Sequence, residues 1–265
     1  MIHQKQNHGV TIITGASRGI GAEYARVLAS QGHELLLIGR DESQLQAVSE
    51  EITTSHDVKV STQCLDLSLT GSAHQLFVAA RDCQKPVDML INNAGFGLYG
   101  EFVNMPLPRI QDMLQLHINT VVESTRLFLP AMIERQSGTI INIASIAGFL
   151  PVPYMAEYAA TKAFLISFSE ALAEEVRGSG VVIQTCCPGS TDTNFHNTAG
   201  HRPANPLGSQ TAQEVVQTSL DELKKKRPHV TIGWQGWLSD RLTRFLPRTL
   251  MIRLAGNRVK PLPRQ

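Results

Sequence analysis

Tyr158 and Lys162 stand four residues apart in the run Tyr158-Ala159-Ala160-Thr161-Lys162. The surrounding pattern predicts a helix over Ala156–Val176, so the phenol and the ammonium share one helix face. A free tyrosine loses its proton near pH 10. Exchanging one near neutrality requires a shift of up to about three units, roughly 4 kcal/mol. A neighbouring ammonium and a cofactor cation favour the phenolate by that order, which makes the pair a candidate general acid/base. Ser145 ends the apolar run Thr139–Ala144. In an open parallel sheet ligands bind beyond the carboxyl ends of the strands, where a hydroxyl can hold a substrate oxygen. Tyr154 lacks such company, because four residues later it meets Tyr158 and no base.

A second cluster, Thr14-Gly15-Ala16-Ser17-Arg18-Gly19-Ile20-Gly21, lies between a first strand and a helix. Glycines there let the chain turn tightly and let its backbone approach a pyrophosphate, which sits on the N–H groups and positive end of the helix. The spacing is G-x-x-x-G-x-G, so its place after the first strand carries more weight than the pattern itself. Gly15 to Gly19 also reads G-x-S-x-G, a nucleophile elbow with Ser17 as nucleophile. Only one strand precedes it, and the earlier strand-to-helix loop that a hydrolase oxyanion hole needs is missing.

These groups must be positioned by recurring elements. Strands are expected at Val10–Thr14, Glu34–Ile38, Val58–Leu65, Asp88–Ile91, Thr139–Ile143, Val181–Cys186 and His229–Ile232. Helical stretches such as Gly21–Ser30, Glu42–Thr53 and Ala156–Val176 lie between them. Such alternation implies one α/β domain, a Rossmann-type doubly wound parallel sheet of about seven strands with helices on both faces. Pro188–Gln213 reads as a long loop after the sixth strand and a candidate lid. The chain's 265 residues, 42% hydrophobic and 18% charged, suffice to bury about three-quarters of the unfolded surface, which excludes a disordered tail or fibre. A net charge of +1 argues against a nucleic-acid coat and for a small-molecule partner. Cys64, Cys83, Cys186 and Cys187 contain no C-x-x-C pair, and the histidines and methionines form no ligand pattern, so a reducing compartment and no metal are expected. The N-terminus lacks an apolar secretion region, which points to the cytoplasm. The uncharged stretch Gln136–Met155 contains Pro151 and Pro153 and reads as a buried strand entering a loop rather than a membrane span.

The chain resembles the short-chain dehydrogenase/reductase family from Val10 to about Thr193. The likeness rests on Thr14–Gly21, Asp66-Leu67, Asn92-Asn93-Ala94-Gly95, Asn119, Ser145, Tyr158-x-x-x-Lys162, and Pro188-Gly189 followed by Thr191 and Thr193. It implies a catalytic tetrad. Tyr158 would be the general acid/base, and Lys162 would lower its pKa and bind the nicotinamide ribose. Ser145 would hold the substrate oxygen, and Asn119 would support a water relaying protons to Lys162. By the same resemblance Asp66 and Leu67 face the adenine, Asn93, Ala94 and Gly95 line the cofactor, and Pro188, Gly189, Thr191 and Thr193 approach its carboxamide side. The expected activity is hydride transfer between a nicotinamide and a carbonyl or alcohol carbon, in a homodimer or homotetramer; a non-catalytic nucleotide sensor or scaffold on the same fold is the alternative.

The cofactor is expected to be NADP(H) rather than NAD(H). Gly39 stands where an acidic residue would grip the ribose 2′-hydroxyl, and Arg40 and Arg18 suit a 2′-phosphate. Asp41 keeps NAD(H) possible. Phe96, Tyr99, Phe149, Leu150, Met155 and Phe195 suggest a largely apolar pocket or, equally, core and subunit contacts. Residues 1–237 form the binding and catalytic unit, and 238–265 a basic amphipathic arm with Arg241, Arg244, Arg248, Arg253, Arg258, Lys260 and Arg264 against Asp240 alone. Pro247 should break the arm into two helices. Such an arm suits weak contact with an anionic membrane surface, a partner subunit, or packing on its own domain.

Overall fold

Along β1 (Val10–Thr14), Val10 and Ile12 point to one face and Ile13 to the other. Each set meets its own apolar layer, as the two-residue period of a strand requires. A computed structural model describes residues 9–192, 208–233 and 247–260, together with Gly236, Leu238, Arg241 and Phe245. After β1 come α1 (Gly19–Ser30), β2 (Glu34–Gly39), α2 (Glu42–Ser55), β3 (Val60–Cys64), α3 (Ser72–Asp82) and β4 (Val87–Asn92). The chain continues through α4 (Leu107–Leu114), a π-turn (Gln115–Asn119), α5 (Thr120–Glu134), β5 (Gly138–Ile143), α6 (Ala156–Glu175) and β6 (Val181–Cys187). It closes with α7 (Ala212–Lys224), β7 (His229–Thr231) and α8 (Arg248–Val259).

All seven strands are parallel, in the order β3-β2-β1-β4-β5-β6-β7. The order reverses beside β1, so the loops that follow β1 and β4 lead to helices on opposite faces and leave the crevice where such sheets bind ligands. One face buries Ile13, Leu35, Leu37, Ile91 and Ile141 against Tyr24 and Leu28 of α1, Leu45 of α2 and Val215 of α7. The other buries Ile12, Leu36, Leu90 and Ile140 against Leu76 of α3, Phe128 of α5 and Tyr158 of α6. The expected architecture is therefore observed, with strand ends shifted by a residue or two. Gln136–Met155 is β5, a loop and a short 3-10 turn at Ile146–Phe149. No helix among the described residues is long and apolar enough to cross a membrane.

Pro247 precedes α8, in keeping with a break there; the half of the arm before it falls largely outside the described residues. The last turn of α8 is tied to the body, because the Tyr99 hydroxyl donates to the Val259 carbonyl and Gly256 packs against Pro153.

Candidate active site

Thr14, at the end of β1, is a junction between two loops of the crevice. Its hydroxyl donates to the Ile91 carbonyl (3.1 Å) and accepts from the Asn93 and Ala94 amides (2.9 and 3.0 Å). The Asn93 carboxamide donates to the Thr14 carbonyl (2.8 Å) and the Gly15 carbonyl (3.2 Å). Asn93 therefore braces the glycine turn with its side chain. Asn92 is structural, donating to Asn142 across the sheet (2.8 Å).

Gly15 and Gly19 have φ of 65° and 58°, a conformation costly for other residues. A Cβ on Gly21 would stand 2.3 Å from the Gly15 carbonyl oxygen and 2.6 Å from the Asn93 carboxamide nitrogen, so a side chain there would push α1 off the turn. No side chain caps α1, which leaves the N–H groups of its first turn facing the crevice for an anion. Ser17 and Ile20 are partly buried and Arg18 is exposed, and Ile20 packs on the core.

At the end of β2, Arg40 is exposed and lies 3.8 Å from Asp66, a separation at which an ion pair between such groups adds little stability. Partial burial pulls Asp66 upward, but bonds from Ser68 and the charge of Arg40 leave its carboxyl below the ordinary value. Asp41 is a helix cap. It accepts from the Gln44 amide (3.0 Å) and the Ser43 hydroxyl (2.7 Å), with the charge of Arg18 nearby, and these hold it ionised. Both cations thus flank the end of β2, while Asp41 is spent on α2. Leu67 departs from expectation: its side chain is buried with Ile38, Leu76 and Leu90, because it alternates inward beside Asp66, and its carbonyl takes Thr120 (2.8 Å).

The loops after β5 and β6 bring the reactive groups together. The Ser145 hydroxyl accepts from the Ala147 amide (3.1 Å) and hydrogen-bonds Tyr158 in the first turns of α6. One turn further, the Lys162 ammonium donates to the Ile143 carbonyl (2.8 Å) and sits 5.7 Å from the Tyr158 ring centroid. Both side chains are buried. Burial pushes the phenol up to about 12, against the pull of the Ser145 bond. It pushes the ammonium down to about 8. Desolvation dominates both shifts, upward for the phenol and downward for the ammonium.

Asn119 closes the π-turn with its exposed side chain donating to Gln115 (2.8 Å). From the same turn His117 is fully buried and meets Tyr158 edge-on, with ring centroids 5.9 Å apart. The sequence reading missed His117; a polar residue at the apolar register of α4 and α5 was the available signal. It also missed Gln210, whose carboxamide accepts from the Gly189 amide (3.1 Å) and donates to the Ile232 carbonyl (2.7 Å). Gln210 holds Gly189 and Thr191 beside the crevice, and the buried Pro188 carbonyl takes the Ile146 amide (3.0 Å). Thr193 and Phe195 lie outside the described residues. Of the proposed pocket, Phe96 belongs to the core under Arg109. Phe149 packs on Leu165 and Cys187, Met155 packs in the cluster that holds Tyr158, and Leu150 is partly buried.

A parallel sheet with a glycine turn at its crevice and a Ser–Tyr–Lys set beside it, the tyrosine and lysine buried, is the arrangement of a dinucleotide-dependent oxidoreductase. Residues 9–204 match the short chain dehydrogenase profile. A ketoacyl reductase, HetN, from Nostoc is 33% identical over 237 residues, covering 89% of this chain and 82% of that one. The rat very-long-chain 3-oxoacyl-CoA reductase is 34% identical over 182 residues, 67% of this chain and 57% of its own length. The chain thus spans little more than half of that longer relative. A solved short-chain dehydrogenase from Sphingobium yanoikuyae in complex with NADPH superposes with a TM-score of 0.79 at 28% identity, covering 91% of this chain and 97% of that one. The chain belongs to the short chain dehydrogenase family, and it is an NAD(P)-dependent oxidoreductase acting between CH–OH and C=O.

Proposed function

We propose that the protein transfers a hydride between NADP(H) and the carbonyl or alcohol carbon of an apolar small molecule. The observation that carries this is Tyr158, its hydroxyl bonded to Ser145 and its ring facing the Lys162 ammonium, at the carboxyl end of β5. When bound, the dinucleotide supplies the hydride. Ser145 orients the substrate oxygen, and Tyr158 gives that oxygen its proton in reduction and takes it back in oxidation. Lys162 holds the nicotinamide ribose and favours the phenolate once the site is filled. Asn119, expected in this relay, is given no part.

The residues fit the cofactor. The uncapped first turn of α1 with Gly15, Ser17, Gly19 and Gly21 would hold the pyrophosphate. Arg18 and Arg40 would hold a 2′-phosphate, since Asp41 is engaged in its cap. Asp66, Asn93, Ala94 and Gly95 would border the adenine and ribose, and Pro188, Gly189, Thr191 and Thr193 the carboxamide. The Sphingobium relative's NADPH supports the phosphate preference. We read the protein as cytoplasmic and homo-oligomeric, with exposed Leu114, Ile133 and Phe164 suited to subunit contact. The test is a panel of ketones of graded chain length, assayed by NADPH consumption, with cofactor titration of wild type and Arg40→Ala. Turnover rising with apolar length and tighter binding of NADPH than NADH are expected. No turnover on any carbonyl, or equal affinities, would count against it.

A further inference from the structure

His117 is buried between three parts of the site. Its Nε2 accepts from the Phe96 amide (3.2 Å), in the loop after β4. An amide can only donate, so Nε2 is unprotonated and the neutral ring carries its proton on Nδ1. Nδ1 then donates to the Thr161 hydroxyl (2.9 Å), which in turn donates to the Tyr158 carbonyl (2.8 Å). Every hydrogen-bonding site of the ring is taken, and its edge meets the Tyr158 ring. Gly95 closes the cage: a Cβ there would stand 2.8 Å from Nε2. The turn that presents His117 holds one extra residue per turn, a form common at functional sites.

The charged and titratable groups around the ring are Tyr158 and Lys162 on α6, and Arg109 on α4, whose guanidinium lies 4.4 Å over Phe96. Burial together with the charge of Lys162 drives His117 well below its ordinary pKa. Protonation would also set Nε2–H against the Phe96 N–H.

We propose that His117 is the positioning residue of Tyr158, a permanently neutral imidazole, protonated on Nδ1, that pins α6 to the loop after β4 and keeps water from the phenol. The proposal rests on the reading of Tyr158 as the acid/base. It assigns His117 no proton transfer, because neither nitrogen is free to exchange one.

The two bonds can be cut separately. Asn in place of His117 retains a partner near Nδ1 for Thr161 and abandons the Phe96 amide, whereas Gln reaches toward Phe96 and abandons Thr161. The experiment combines nitrogen NMR of the His117 ring, carbon NMR of the Tyr158 Cζ across pH, and kcat and KM, in wild type, His117→Asn, His117→Gln, His117→Ala and Gly95→Ala. The wild-type ring should show protonated Nδ1, bare Nε2 and no titration in the ordinary imidazole range. His117→Ala and Gly95→Ala should lower the phenol's titration midpoint by about one unit as water enters. Their kcat should fall by at least about tenfold with KM within about threefold, and Asn and Gln should restore part of both. A ring protonated on Nε2, or variants that fold while leaving the Tyr158 midpoint unmoved, would overturn the proposal. The NMR readouts need no substrate, so an inactive wild type would sink the functional reading without deciding this one.

Discussion

Lys162 carries its charge where water does not reach, and the consequence is measurable. Folded, it releases its proton at about 8, against 10.5 when free. Between those values the unfolded chain binds more protons, so stability should rise with pH from about 8 to 10.5. Tyr158 opposes this only above 10, where the unfolded phenol ionises first and the folded one waits until about 12. Denaturant unfolding at steps from pH 7 to pH 9 should show the rise in wild type and its loss in Lys162→Met; above 9 the buried Cys186 thiol, pushed up to about 12, works the other way. The variant should also be more stable at pH 7 by about 1–3 kcal/mol, the buried charge being gone. A flat wild-type profile would contradict the burial argument. At Asn119 the expectation is opposite in kind: Asn119→Ala should keep turnover within about twofold, since its exposed amide serves only Gln115 and surface changes of this sort cost little.

At the scale of elements, the glycine turn and the strand ends form one mechanical unit. Gly21→Ala should destabilise the fold by about 1–3 kcal/mol, as crowding does in a packed site, and weaken cofactor binding because α1 moves off its strand. Calorimetric titration with NADPH beside denaturant unfolding checks both, and unchanged affinity would mean that the turn does not cradle the pyrophosphate. Much of this unit was legible in the sequence. Short, nearly continuous runs of β-branched and apolar residues in Val10–Thr14 and Glu34–Ile38 announce strands buried on both faces, and three glycines before a helix announce the turn. The π-turn was not legible, because a helical pattern gives no sign of one extra residue. The family motif names Asn119, while His117, two residues earlier in the same turn, is the side chain that packs against Tyr158. Leu67 was misread for a related reason, since a motif names neighbours without saying which side chain the backbone turns inward. Asp41 had two chemically sound uses, and only the Gln44 and Ser43 bonds show that α2 takes it.

Across the whole molecule, α8 meets loops at the carboxyl end of the sheet. Tyr99 and Pro153, which touch α8, belong to the loops that flank the crevice, while Leu250 and Leu254 face outward beside Arg253. A chain ending at Pro247 should fold, bind cofactor as wild type does, and show a KM for long-chain ketones raised several-fold, roughly the loss of one or two buried methylenes. If the outward face also binds lipid, the full chain should sediment with anionic vesicles at low salt and leave them at high salt, and the shortened chain should do neither. Neither the arm nor the sheet, however, decides whether Tyr158 is the acid/base. The most direct measurement compares NADPH-dependent carbonyl reduction by wild type and Tyr158→Phe, with NADPH affinity titrated on the same samples. The account predicts a loss of turnover on the order of 10²–10⁴ with cofactor affinity nearly unchanged. Near-native turnover in the variant would contradict it.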